Sequence, residues 1–130
     1  MQNVFDNIKT IAIVGLSDDT KRPSYEVASY LQEKGFTIIP VNPNIETVLG
    51  AKSYPDLLSI PEEIKIDVAD IFRKSELVLP HVKEALKRGD IKTIWLQEGV
   101  ENKEAEDLAR SNGLNVVSNF CIMKTHKTLA

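Results

Sequence analysis

Short, continuous apolar runs alternate along this chain with stretches of helical spacing. Few folds accept that rhythm. Thr10-Ile11-Ala12-Ile13-Val14 is closed by Gly15. An unbroken apolar run of this length, ended by glycine, reads as a strand covered on both faces, as in a parallel sheet. Phe36 to Val41, Ile66 to Phe72, Thr93 to Gln97 and Asn115 to Ser118 repeat the pattern. Pro40 cannot donate to a ladder, which puts it near a strand end or at a bulge. Asp67 and Asp70 interrupt the third run, and residues three apart on a strand lie on opposite faces. Bonds to backbone amides are the expected use of both.

Helices are expected between these runs. Pro23 suits a first helical position, where its missing N–H costs nothing. Tyr25, Val27, Ala28, Tyr30 and Leu31 then recur at helical spacing, and Gly35 ends the stretch. Tyr54 to Leu58 is expected to form a short helical turn. Leu79 to Gly89 reads as a helix entered at Pro80, with Lys87 and Arg88 near the negative end of its dipole. Asn102 can cap a helix that runs to Asn112. An order of strand, helix, strand, turn, strand, helix, strand, helix, strand implies right-handed crossovers. The expected fold class is α/β: a Rossmann-like, doubly wound parallel sheet of about five strands with helices on both faces. No linker or repeat divides residues 1–130, so one domain is expected.

Composition narrows the function. Charged residues make up 27% of the chain and hydrophobic ones 42%, which excludes global disorder. Lys and Arg number 16 against 19 Asp and Glu, for a net charge of −3. A general nucleic-acid binder usually carries the opposite balance. Cys121 is the only cysteine, so no intrachain disulfide or cysteine zinc cage can form. No signal-like start and no apolar run of ~20 residues is seen. The expectation is a cytoplasmic protein with neither nucleic acid nor membrane as partner.

In doubly wound sheets ligands bind beyond the carboxyl ends of the strands, where strand order reverses. The loop after the first strand carries Gly15, Leu16, Ser17, Lys21, Arg22, Pro23, Ser24 and Tyr25. A tight turn, a helix N-terminus, two hydroxyls and two cations together suit a phosphate. Gly15 alone would serve a turn equally well. The dinucleotide pattern G-x-G-x-x-G is absent, and Asn42-Pro43 stands where an acidic residue would hold a ribose. No Gly-Lys-Ser or Gly-Lys-Thr run exists either. An anionic, nucleotide-like ligand is expected, without an ordinary NAD or ATP site.

Ala12 to Ser17, Arg22 to Tyr25, Ile39 to Pro43, Asp67 to Arg73, Ile94 to Val100, then Val116-Val117 and Cys121 resemble the small CoA-binding proteins of bacteria and archaea. They are similar to the N-terminal CoA-binding domain of the succinyl-CoA synthetase alpha subunit. The resemblance implies a CoA or acyl-CoA site in a CoA-binding Rossmann-like domain. It places the CoA phosphates on Gly15, Leu16, Ser17 and Arg22 to Tyr25. It brings in Asn42, Pro43, Ile71, Phe72 and Arg73 at the ends of the second and third strands, and Leu96, Gln97 and Glu98 at the fourth. The ligases commonly carry a lysine just after the second strand. Here Lys21, Arg22 or Arg73 would have to supply that charge.

No nucleophile, base and orienting group can be assembled, so a binding module is favoured over an enzyme: a carrier, a sensor or an accessory subunit. An NAD(P)-dependent enzyme and an acyl-CoA-processing enzyme, with Cys121 or Glu98 at work, are the alternatives. Cys121 is read as a small buried hydrophobe, or as a thiol able to meet CoA in a mixed disulfide. Trp95 is read as core, the acidic run Glu101 to Asp107 as a solvated helix face, and His81 as a helix-surface residue. His126 is placed in an exposed tail. No metal site is expected. A protein partner or a second copy of the chain is left open.

Overall fold

The computed structural model describes residues 4–129. Its centre is a parallel sheet of five strands: β1 (Thr10–Val14), β2 (Thr37–Val41), β5 (Val68–Ile71), β6 (Thr93–Leu96) and β7 (Asn115–Val117). Their spatial order is β2-β1-β5-β6-β7. The chain first winds outward from β1 to β2, then crosses back over β1 to start β5 and winds the other way. Strand order therefore reverses between β1 and β5. The expected Rossmann-like α/β class is the observed one.

Both faces are covered. Helices α1 (Pro23–Glu33) and α4 (Ile122–Leu129) pack on one, and α2 (Val78–Arg88) and α3 (Lys103–Ser111) on the other. The register assigns side chains to these faces. Ile13, Asp70, Trp95 and Val117 are lateral neighbours under α1 and α4. Val14, Ile71 and Leu96 point to the α2–α3 side, against Val78, Val82, Ala105 and Ala109. Because both faces are dry, every residue of β5 and β6 is buried, which accounts for the unbroken apolar runs.

Local signals explain most boundaries. Pro23 occupies the first turn of α1, and Gly89 ends α2 in a left-handed conformation at φ +82°. Asn102 accepts the Ala105 amide while Glu106 accepts the Asn102 amide, a reciprocal cap at the start of α3. Glu106 is thereby buried, unlike the solvated face expected for its run. Pro40 is the fourth of five residues in β2, an edge strand.

The β2–β5 connection holds more structure than one turn. β3 (Thr47–Val48) and β4 (Ala51–Lys52) form an antiparallel hairpin, and Leu57–Ser59 a short 3₁₀ turn. Arg88, at the end of α2, pins this segment. Its guanidinium donates to the carbonyls of Leu57, Ile60 and Ile64 and grips both oxygens of Asp90. Burial pushes the Asp90 carboxyl up, but the Arg88 and Ile66 hydrogen bonds outweigh it and hold it below the usual range.

Two expectations about histidines are corrected. His126 lies on α4, not in an exposed tail. Its Nδ1 is 2.7 Å from the Tyr30 hydroxyl, and its ring meets Phe5 and Phe36 edge-on. His81 is only 16% exposed at its side chain rather than on an open surface. Burial, aided by Arg73, lowers its pKa. Among the described residues no helix is long and apolar enough to cross a membrane.

Candidate functional site

One cavity, of about 810 Å3, lies where strand order reverses, beyond the carboxyl ends of β1, β5 and β6. Its floor continues the sheet by one residue per strand. The Gly15 amide donates to Val41, the Phe72 amide to Val14 and the Gln97 amide to Ile71. Gly15, Phe72 and Gln97 all line the cavity. They stand one pleat above Ile13, Asp70 and Trp95, on the α1–α4 side of the sheet.

Gly15 is required by geometry. Its φ is +86°, and a Cβ there would lie 2.3 Å from the Phe72 carbonyl oxygen. The glycine lets the β1 and β5 ends close on each other and turns the chain toward α1. The loop that follows braces itself. Ser24 Oγ accepts the Ser17 amide, Ser17 Oγ accepts the Asp19 amide, and Asp19 accepts the Lys21 amide. Arg22 is the N-cap of α1, and no side chain caps that end. The helix thus opens its positive pole toward the cavity, beside Pro23 and Ser24, which line it.

Gly15, Ser17, Arg22, Pro23, Ser24, Phe72, Arg73, Gln97 and Glu98 are brought together at this cavity. The other residues singled out in the sequence lie elsewhere. The side chains of Leu16, Ile71 and Leu96 are buried in the core. Tyr25 lies on α1 and packs, half-buried, against the core on that side of the sheet. Lys21 and Pro43 are exposed and outside the lining. Asn42 braces the turn: its Nδ2 donates to the Leu16 carbonyl, and its Oδ1 accepts the Asn44 amide.

Sequence reasoning did not pick out Glu26, Val27, Lys74, Val100, Met123 and Lys124, which complete the wall. Lys74 follows Arg73 directly and could have been read with it. Met123 and Lys124 arrive through α4, which was not foreseen. Gln97 holds that helix in place, since its Oε1 accepts the Ile122 amide. Cys121 is buried at the same corner. Four cations, Arg22, Arg73, Lys74 and Lys124, face two carboxylates, Glu26 and Glu98, around the cavity. The local balance is positive in a chain of net charge −3. Lys124 and Glu98 pair at 3.0 Å, both well exposed.

Beneath the floor, Asp70 is fully buried between Ile13 and Trp95. Neither carboxylate oxygen has a hydrogen-bond partner among the described residues. Burial raises its pKa well above the usual carboxylate range, which favours the neutral acid. Asp67 behaves as expected: its carboxylate accepts the Lys9 and Thr10 amides.

Comparison with known proteins agrees with this architecture. Residues 9–127 match the family described as CoA binding domain. The uncharacterized protein YneT of Bacillus subtilis is 37% identical over 97% of this chain and 91% of its own length. The alpha subunit of the ADP-forming acetate–CoA ligase II of Pyrococcus furiosus is 31% identical over 99% of this chain, which spans only 30% of that subunit. A solved hypothetical protein from Pyrococcus horikoshii superposes with a TM-score of 0.90 at 42% identity, over 95% of this chain and 84% of the other. The chain belongs to the CoA-binding domain family.

Proposed function

We propose that this chain is a CoA or acyl-CoA binding module without catalysis of its own, serving as a carrier, a sensor or an accessory subunit. The observation that carries the reading is the cavity at the strand-order reversal. The uncapped N-terminus of α1 opens onto it, and four cations ring it in an acidic protein. CoA is a polyanion with a long, mostly neutral pantetheine arm. Its diphosphate suits the α1 end, where Ser17 and Ser24 offer hydroxyls and Arg22 a guanidinium. Arg73 and Lys74 stand next along the wall for further phosphate oxygens. The pantetheine arm then runs over Phe72 and Gln97 toward Glu98 and Cys121. A volume of about 810 Å3 is within the range of small-molecule sites.

The ligase subunit similar to this chain is more than three times as long. A protein partner that carries the remaining functions of such a ligase fits the accessory-subunit role among the three.

Calorimetric titration tests the reading, with CoA, acetyl-CoA, NADP and ATP as titrants. Saturable binding of CoA is expected, without binding of NADP. Arg22→Ala removes a charge-assisted phosphate contact worth about 1.5–3 kcal/mol, so affinity should fall at least tenfold. Absence of heat with CoA alongside binding of NADP would overturn the proposal.

A further inference from the structure

A second cavity, of about 680 Å3, adjoins the first. Glu98, Cys121 and Lys124 line both, so the Glu98–Lys124 ion pair marks the junction. The second chamber differs in chemistry. Val4, Trp95, Val117, Phe120 and Leu129 supply apolar surface around it. Val4, Phe120 and Leu129 are three of the five large hydrophobic residues exposed among the described residues. Their convergence on one chamber is a patch, not scatter.

The exposed ring of Phe120, at 59%, is held out by its backbone. The Phe120 amide donates to the Leu96 carbonyl, and the Phe120 carbonyl accepts the Trp95 indole N–H at 2.9 Å. Asn119, just before it, adopts a left-handed φ of +63° and accepts the Gly99 amide through its side chain at 2.7 Å. Three hydrogen bonds, two of them to β6, thus fix the backbone that carries this exposed ring beside the junction. Among solvent-exposed positions such fixation suits a contact surface rather than a loop tip.

We infer that this chamber receives the acyl chain of an acyl-CoA, making the thioester of a medium-length fatty acid, not free CoA, the preferred ligand. The inference rests on the CoA reading of the first cavity. With the diphosphate at α1, the sulfur end of the pantetheine arm arrives near Cys121. An acyl group carried on that sulfur continues across the junction into the apolar chamber. The reverse orientation would set the polyanionic 3′-phosphoadenosine against Trp95, Val117 and Phe120, where Lys124 is the one cation in the lining, and would leave the four cations of the first cavity to the neutral arm.

Titrations of CoA, acetyl-CoA and octanoyl-CoA into the whole chain and into Phe120→Asp and Phe120→Ser test this. Each buried methylene contributes about fourfold in affinity. Octanoyl-CoA is therefore expected to bind at least tenfold tighter than acetyl-CoA. Both variants should lose that ratio, Phe120→Asp more fully, while keeping the affinity for CoA. Retained CoA binding also shows that the variants fold. Equal affinities for the three ligands in the parent protein overturn the acyl chamber and leave the CoA reading intact. Failure of CoA itself to bind overturns both. If light scattering finds a dimer that Phe120→Asp converts to monomer, with the octanoyl-to-acetyl ratio unchanged, a second copy covers the patch and the inference falls.

Discussion

Replacing Gly15 with alanine separates two costs that glycine usually hides. The first is conformational. At φ +86° a side chain meets the following carbonyl, at about 1–2 kcal/mol. The second is steric and local to this site. The new Cβ would sit 2.3 Å from the Phe72 carbonyl oxygen and 3.2 Å from Arg73 Cδ. The arginine can swing aside, but the carbonyl belongs to the backbone leaving β5. Relief requires the ends of β1 and β5 to part, and such overpacking typically costs about 1–3 kcal/mol. The expected total is roughly 2–5 kcal/mol, a large fraction of the ~5–15 kcal/mol that holds an ordinary domain together. Gly89→Ala is the control. Its φ is +82°, yet nothing lies within 4 Å of the added carbon, so only the conformational cost applies. Urea denaturation of both variants, with slopes compared as well as midpoints, reads the difference directly. Gly15→Ala should be the less stable by about 1–3 kcal/mol. Because its relief displaces Phe72 and Arg73, it should also weaken CoA binding, which Gly89→Ala should not. Equal destabilisation by the two changes would refute the close-approach argument.

Asp70 gives a pH dependence of defined sign. Its folded pKa is raised by burial, so its contribution is fully present below the unfolded carboxylate value and is lost as pH rises above it toward the folded pKa. In that window the unfolded chain has released a proton that the folded chain retains, and stability falls by up to about 1.4 kcal/mol per pH unit. The stability of Asp70→Asn minus that of the parent should therefore grow as pH rises above 4, measured by urea melts at each pH; a constant difference would contradict the raised pKa. Arg88→Met should cost about 3–5 kcal/mol, because it strands the buried side of Asp90 and three carbonyls at once. A thermal shift no larger than that of a surface arginine such as Arg110, which pairs with Glu106 at 3.6 Å, would show that solvent replaces those bonds.

The parts of the fold readable in the sequence are those whose burial is symmetrical. β1, β5 and β6 are dry on both faces, so their apolar runs are continuous and need no knowledge of neighbours. The β3–β4 hairpin escapes because each strand has two residues and the turn between them uses Leu49 at φ +53° instead of an Asn-Gly pair. Helix α4 escapes because only its first turn, Ile122 and Met123, is fully buried. Its later residues are polar as far as Thr128, and what secures them is tertiary: the Tyr30–His126 hydrogen bond and the rings of Phe5 and Phe36.

The same asymmetry divides the site. Residues supplied by the loop after β1 and by the ends of β5 and β6 were legible, because topology alone directs those ends to the reversal point. Met123 and Lys124 were not, since their place depends on Gln97 anchoring a helix that has no strong pattern of its own. Asp67 and Asp70 make the point within a single strand region. Periodicity puts them on opposite faces but does not say which face offers a donor. Asp67 meets two backbone amides near the start of β1 and stays an ordinary strand-end acceptor. Asp70 meets only Ile13 and Trp95 as lateral neighbours, and so becomes an unpaired acid directly below the cavity floor. A sequence records the spacing of two aspartates. The chemistry of each is decided by the strand laid beside it.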